Sequence, residues 1–135
     1  MRHRLIAATM ALGFAVLCVC SASDPTTAQQ PTVQRKVLLT QDLPIPDYQT
    51  VMAAVEIRAG GREGRHTHPG AVVGYVQEGV LTLDYEGKPT ATYKTGDAFY
   101  IEAGKVHEGI NKEGSPVIVT TFVVEKGKPL TTAAP

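Results

Sequence analysis

Three of the chain's four histidines, His66, His68 and His107, are the side chains best suited to chemistry. Imidazole nitrogens bind zinc, copper, nickel and iron. In a β-strand, residues i and i+2 point to the same face, so His66 and His68 reach one point if their segment is a strand. The same HxH pair also occurs by chance on an exposed strand face. The choice between a metal site and an exposed strand therefore depends on the surrounding sequence.

The sequence around these histidines predicts β-structure. From Arg35 onward the chain consists of short runs rich in Val, Ile, Thr, Tyr and Phe, bounded by Gly, Pro, Asp or Asn, without a convincing helical period. The predicted strands are KVLLT, YQTVMAAVEIRA, AVVGYV, VLTLDYE, TATYK, DAFYIEA and PVIVTTFVVE. This pattern indicates an all-β sandwich or barrel, and a length of 135 residues fits one domain.

The histidines and several glycines recur at fixed intervals. The first interval set joins Gly60, His66, His68, Val72 and Gly79, and the second joins Gly96, Glu102, Gly104, His107 and Asn111. These intervals resemble the two motifs of the cupin superfamily, G-x5-HxH-x3,4-E-x6-G and G-x5-PxG-x2-H-x3-N. The resemblance implies a single-domain jelly-roll β-barrel of the cupin type. It also implies that His66, His68 and His107 hold one divalent metal ion inside that barrel.

Two positions depart from the cupin motifs. Val72 occupies the position of the family's glutamate ligand, and Val73, which the looser spacing selects, is no closer to a carboxylate. Glu102 replaces the usual proline of the second motif. We expect Glu102 to be a turn residue facing water, with contact to the metal site as the alternative. We also expect Glu63 and Glu78 to be solvated turn residues.

The missing glutamate has a chemical consequence. Three neutral histidines around a divalent ion give a net charge of +2, where a glutamate would give +1, so anions are attracted more strongly and the ion is a stronger Lewis acid. Three-histidine sites resemble those of thiol dioxygenases and diketone-cleaving dioxygenases, which use Fe(II), and those of zinc hydratases on other folds. Fe(II) is therefore the expected metal, with Zn, Ni, Mn and Cu left open.

The walls of such a pocket are expected to be apolar. Core-type residues at the relevant positions are Val72, Val76, Ile101 and Phe122. Tyr75 and Tyr100 either present a hydroxyl group near the pocket mouth or are ordinary core residues.

Residues 1–28 have the pattern of a signal peptide and leader. The basic residues Arg2, His3 and Arg4 precede the uncharged run LIAATMALGFAVLCVC. That run is shorter than the roughly 20 residues that span a bilayer, which favours cleavage over an uncleaved membrane anchor. The predicted location is therefore periplasmic or secreted, without membrane attachment after cleavage.

The cleavage position is open, because Ala22 and Ala28 both offer a small residue before the scissile bond. We expect the mature chain to begin between about Ser23 and Gln30. Cys18 and Cys20 are the chain's two cysteines, so the mature part has none for a disulfide. Lipidation at Cys20 is an alternative, although the preceding Val19 is a poor match.

Composition sets further limits. Without residues 1–28, Lys+Arg falls from 13 to 11 and Asp+Glu from 13 to 12, a net charge of −1 that argues against nucleic-acid binding. Residues 35–125 are predicted to form the cupin barrel domain. Residues 126–135 lose the apolar alternation and are predicted to be a flexible tail.

Two functions follow from these observations. The first is an exported Fe(II)-dependent dioxygenase acting on a small anionic or enolisable molecule. The alternative is a noncatalytic cupin that binds a sugar or organic acid, because this fold serves enzymes, storage proteins and sensors alike. In both cases the partner is a small molecule, and the resemblance to small cupins also allows a homodimer.

Overall fold

A computed structural model of the protein describes residues 32–114 and 116–135. The predicted signal peptide, its cleavage position and both cysteines lie outside these residues. The described strands are β1 (Val33–Asp42), β2 (Tyr48–Ile57), β3 (His66–Thr67), β4 (Val72–Glu78), β5 (Val80–Tyr85), β6 (Ala91–Lys94), β7 (Ala98–Ile101), β8 (His107–Ile110), β9 (Val117–Glu125) and β10 (Thr132–Ala133). Within the described part of the chain, no helix is long and apolar enough to cross a membrane.

The strands form two antiparallel sheets of five strands each. The scaffold sheet has the order β1-β2-β9-β4-β7, and the histidine sheet has the order β10-β3-β8-β5-β6. This arrangement confirms the prediction of an all-β fold.

The core lies between the two sheets. In β2 of the scaffold sheet every second side chain from Val51 to Ile57 is buried, namely Val51, Ala53, Val55 and Ile57. On the histidine sheet, β5 contributes Leu81, Leu83 and Tyr85 to the same buried cluster. Burying one large aliphatic side chain contributes about 1.5–3 kcal/mol, so these strands hold the two sheets together.

Two motif glycines make tight connections between strands. Gly79 and Gly96 have φ angles of 83° and 95°, which residues with a Cβ atom rarely adopt. Gly79 joins β4 to β5, and a Cβ atom there would lie 2.8 Å from the Cα atom of Pro116. The glycine spacing of the first motif therefore has a direct cause in the backbone.

Three described strands differ from the sequence prediction. The short strands β3, β8 and β10 have the sequences HT, HEGI and TA, which lack the β-branched runs that predict strands. The segment predicted to be a flexible tail contains β10, which pairs with β3. β10 pairs through its backbone groups, which the side-chain pattern after residue 125 does not indicate.

Candidate metal centre

The sheet register brings the three histidines together. His66 begins β3 and lies opposite His107, which begins β8. His68 follows β3 directly, and all three residues are at most 4% exposed. One ring nitrogen of each histidine lies within 4.8 Å of those of the other two.

Each Nδ1 atom of this group has a backbone carbonyl partner. His66 Nδ1 lies 2.7 Å from Gly64 O, and His107 Nδ1 lies 2.9 Å from Lys105 O. His68 Nδ1 lies 2.7 Å from Leu130 O in the C-terminal segment. Because a carbonyl oxygen only accepts, each Nδ1 atom carries the proton, and each neutral ring therefore has an unprotonated Nε2 atom.

The Nε2 atoms of His68 and His107 have the spacing of two ligands of one cation. His68 Nε2 and His107 Nε2 are 3.1 Å apart, although neither atom carries a proton in the neutral rings. Two nitrogens bound to one ion at about 2.1 Å and separated by about 90–109° lie roughly 3.0–3.4 Å apart. The three-histidine group could therefore hold a divalent metal ion.

Burial favours the neutral form of the His68 and His107 rings. It lowers the pKa of His68 to about 4, against the opposing effect of the bond to Leu130 O, and the charges of His107, His66 and Arg35 lower it further. Burial likewise lowers the pKa of His107 to about 4. Both rings are therefore neutral near pH 7, which is the form that binds metals.

Glu108 supports the loop that carries the partner of His66. Although it follows His107 on the opposite face of β8, Glu108 is only 5% exposed. Its carboxylate accepts hydrogen bonds from Gly64 N at 3.1 Å and from Arg62 Nε at 3.1 Å, and it pairs with Arg62 Nη2. The Arg62 guanidinium lowers the pKa of Glu108, so this carboxylate is ionised near pH 7.

Sequence reasoning did not single out Glu108 or Arg62. The only signal is position: Glu108 follows a ligand candidate, and Arg62 lies in the loop before the HxH pair. Their contact joins residues 46 positions apart, which spacing within either motif does not reveal.

Glu63 differs from its prediction as a solvated turn residue. Its side chain is 14% exposed, and its Oε1 atom lies 3.7 Å from Arg35 Nη2. A Cβ atom on Gly109 would overlap Glu63 Oε2, so the missing side chain at that position makes room for the carboxylate. Glu78 is exposed, as predicted.

The residues predicted to be apolar walls are buried. Val72, at the position of the family's carboxylate, is 0% exposed and lies opposite Ile101 and Phe122. Phe122 packs edge-to-face against His68, with 5.0 Å between ring centroids. Val76 is also buried, so the core prediction is confirmed for all four residues.

Glu102 points to water, as expected for a turn residue. Its carboxylate pairs with Lys88 Nζ at 2.9 Å, and its side chain is 46% exposed. Val73, the alternative ligand position, is 56% exposed and lies on the opposite face of β4 from Val72.

The tyrosine predictions were wrong. Tyr75 and Tyr100 are 47% and 58% exposed, so they belong neither to the core nor to the site. They alternate with buried residues on β4 and β7 and lie on the outer face of the scaffold sheet. Tyr85 is the tyrosine beside the site: it lies opposite His107, and the two rings are stacked with centroids 6.2 Å apart.

A groove of about 470 Å³ begins immediately after the HxH pair. Pro69, Gly70 and Ala71 line one part of it, and Tyr48 and Lys128 line another. None of the three histidines lines this groove, so the candidate metal centre is a buried cluster beside it.

Comparisons with known proteins agree with this fold. The model of the cupin domain family matches residues 53–125, more than half of the chain, and the chain therefore belongs to the cupin family. No curated protein sequence matches the chain.

Several solved structures share the fold. A cupin-like protein from Thermotoga maritima is 23% identical, with a TM-score of 0.62 over 76% of this chain and 75% of that chain. KdgF from Halomonas sp. is 24% identical, with a TM-score of 0.57 over 73% of this chain and 85% of that chain. An oxalate oxidase in complex with the substrate analogue glycolate is 18% identical, with a TM-score of 0.63 over 82% of this chain and 59% of that chain. At these identities the likeness concerns the fold alone.

Proposed function

We propose that this protein is an exported cupin in which His66, His68 and His107 bind one divalent metal ion, with Fe(II) as the expected ion. One observation carries the proposal: every Nδ1 atom is hydrogen-bonded to a backbone carbonyl, while one ring nitrogen of each buried histidine lies within 4.8 Å of those of the other two. An apolar site with these nitrogens and no cation would leave their lone pairs without partners. In this proposal the two sheets form the jelly-roll barrel typical of the family.

The proposed activity is a dioxygenase reaction on a small anionic or enolisable substrate. A bound Fe(II) ion would supply Lewis acidity and redox chemistry with dioxygen. The chain's own residues supply the environment: burial keeps the rings of His68 and His107 neutral, and Val72 and Phe122 exclude water. The oxalate oxidase that shares this fold is in complex with glycolate, so the fold itself can hold a small carboxylate.

Charge also favours an anion. The ligand group contains no carboxylate, so the full charge of a divalent ion is available to a bound anion.

The second candidate is a noncatalytic cupin that binds a sugar or organic acid. The observation that favours it is the apolar character of the identified walls, because Val72 and Phe122 can neither donate nor accept a proton. A metal-bound organic acid would fit such a site without further chemistry.

Metal analysis followed by oxygen uptake separates these functions. Protein purified without a histidine tag should contain about one divalent ion per chain, measured by elemental analysis. The Fe(II)-loaded protein should then consume dioxygen with a small carboxylate, thiol or diketone, while the His66→Ala protein treated identically should not. Metal binding without oxygen uptake favours the noncatalytic cupin. Absence of metal binding contradicts the metal site and the dioxygenase, and leaves only a noncatalytic cupin that binds its ligand without metal.

The export proposal has its own test. Residues 1–28 supply the signal pattern, and mass spectrometry of the protein from its native envelope should find a terminus between about Ser23 and Gln30. An intact Met1 terminus in the cytoplasm would contradict it.

We also propose a homodimer formed through the scaffold sheet. Its outer face exposes Val73, Tyr75, Tyr100 and Val123 by 42–58%. The edge strand β1 adds the consecutive apolar residues 37–39, each about half exposed. An apolar face continuous with a long edge strand is a surface that a second copy can cover.

Sedimentation velocity tests the dimer. Val73→Asp should shift the protein toward the monomer, because it places a charge in the centre of the apolar face. Thr92→Asp, on the exposed surface of β6, is the matched control and should leave the association unchanged. A monomeric parent protein at micromolar concentration would contradict this part of the proposal.

A further inference from the structure

The C-terminal segment, residues 130–135, contacts the strand that carries the HxH pair. His68 Nδ1 donates a hydrogen bond to Leu130 O at 2.7 Å. Farther along, β10 pairs with β3, so that Thr132 lies opposite Thr67 and Ala133 lies opposite His66. The segment therefore reaches both histidines of the first motif.

Further contacts extend this pairing. Ala134 N donates to Arg65 O at 2.9 Å, and Arg65 Nε donates to Pro135 O at 3.1 Å. The Leu130 side chain is partly buried and packs against the hydrophobic core. Backbone pairing and apolar packing thus fix the position of the Leu130 carbonyl.

His68 depends on this segment more than the other two histidines do. The carbonyl partners of His66 and His107 lie two residues away in their own loops. The partner of His68 lies 62 residues away. The strand β3 is only two residues long and has a single residue pair with β8, so β10 supplies its pairing on the other edge.

We infer that residues 130–135 are a positioning element of the metal centre. The Leu130 carbonyl fixes the proton on His68 Nδ1 and directs Nε2 toward the other two histidines. This inference deepens the proposed metal-binding function and rests on it for the consequence in metal affinity. The hydrogen bond itself exists in the metal-free protein, so it can be tested separately.

Truncation provides the main test. A chain ending at Pro129 loses the Leu130 carbonyl and β10, and we expect its zinc affinity to fall by about 10–100-fold, the usual effect of losing a partner of a ligating histidine. A chain ending at Thr131 retains the carbonyl but loses β10, so its loss should be smaller. Lys128→Ala is the control: this exposed side chain lies in the same region without contact to the histidines, and the variant should bind zinc like the parent. Competition with a chromophoric zinc chelator measures all four proteins.

The second readout needs no metal. Nitrogen NMR of the imidazole rings distinguishes protonated Nδ1 from protonated Nε2. In the metal-free chain ending at Pro129, His68 should lose its pure Nδ1–H form, while His66 and His107 should retain theirs. An unchanged His68 ring, or parent-like zinc affinity in that truncated chain, overturns the inference.

Two further outcomes are also decisive. If the chain ending at Pro129 does not fold, Ala134→Pro removes the donor to Arg65 O while leaving the chain intact, and a changed His68 ring in the folded variant supports the inference. An unchanged ring overturns it. If the parent protein binds neither zinc nor Fe(II), the proposed metal function fails, and the NMR result still decides whether the segment positions His68.

Discussion

The scaffold sheet and the histidine sheet are built differently. The scaffold strands contain 4 to 10 residues, and their buried faces are almost entirely apolar. The histidine sheet has strands of 2 to 6 residues and buries His66, His107, Glu108 and Thr82. Buried polar groups need hydrogen-bond partners, and short strands place loop carbonyls within reach of the histidine rings. Long regular strands therefore supply stability, whereas short strands supply the hydrogen-bond partners that a site requires.

The change expected to weaken metal binding most is the loss of a ligand in the histidine sheet. His107→Ala removes one of three ligands and should lower zinc affinity by more than the roughly 10–100-fold that loss of a ligand's partner costs. Competition with a chelator measures the affinity, and circular dichroism verifies the fold. Unchanged metal content in this variant would refute the ligand assignment.

A substitution in the scaffold sheet should affect stability rather than metal binding. Ile118 is 3% exposed in the core, and Ile118→Ala should lower the free energy of unfolding by about 2–5 kcal/mol. Urea denaturation of the metal-free protein measures this loss. The folded variant should bind zinc with the parent's affinity, so a large loss of affinity would show that the two sheets do not have separate roles.

The same contrast explains how much could be predicted from the sequence. Most scaffold strands were predictable because they are runs rich in Val, Ile, Thr, Tyr and Phe, as in β2 and β9. The three histidines were predictable from motif spacing, and the structure brings them together. The short strands β3, β8 and β10 were not, because two to four residues carry no readable period.

The partners of the histidines were also beyond sequence reasoning. Leu130 contributes a backbone carbonyl, which any residue possesses, so its identity gives no signal. The low exposure of Glu63 was not predictable, because the space that its carboxylate occupies depends on Gly109, a residue 46 positions away. Contacts of this kind follow from the register of the sheet rather than from local pattern.

Glu108→Gln tests a partner within the histidine sheet. The variant loses the ionised carboxylate that pairs with Arg62 and accepts from Gly64 N. We expect zinc affinity to fall by about 10-fold, because the Gly64 carbonyl that orients His66 becomes less fixed. Glu102→Gln breaks an exposed pair with Lys88 and is the matched control. Equal zinc affinities in these two variants would contradict a role for Glu108 at the site.

The buried histidines also predict a pH dependence of stability. His68 and His107 have pKa values of about 4 in the folded protein, below the ordinary value of 6.5. Between these values the unfolded chain binds more protons, so the metal-free protein should lose stability as the pH falls from about 6.5 to 4. Urea denaturation at several pH values measures the trend, and His107→Ala should flatten it. A parent protein equally stable across this range would show that the rings are not buried in the neutral form.

The last prediction concerns anion affinity and Val72. This residue lies in β4 of the scaffold sheet, at the position where the cupin motif has its glutamate ligand. Val72→Glu should still bind metal, and more tightly if the carboxylate coordinates, because it adds a ligand and lowers the charge of the site. Anions should then bind the metal-loaded variant several-fold more weakly, since the added negative charge opposes them in a low-dielectric interior. Because Val72 is fully buried against Ile101 and Phe122, Val72→Gln is the matched control for size without charge. Titration with a small carboxylate at equal metal loading compares the three proteins. Equal anion affinity in all three, with no change in oxygen-dependent turnover, would mean that Val72 serves packing alone and would favour the noncatalytic binding function.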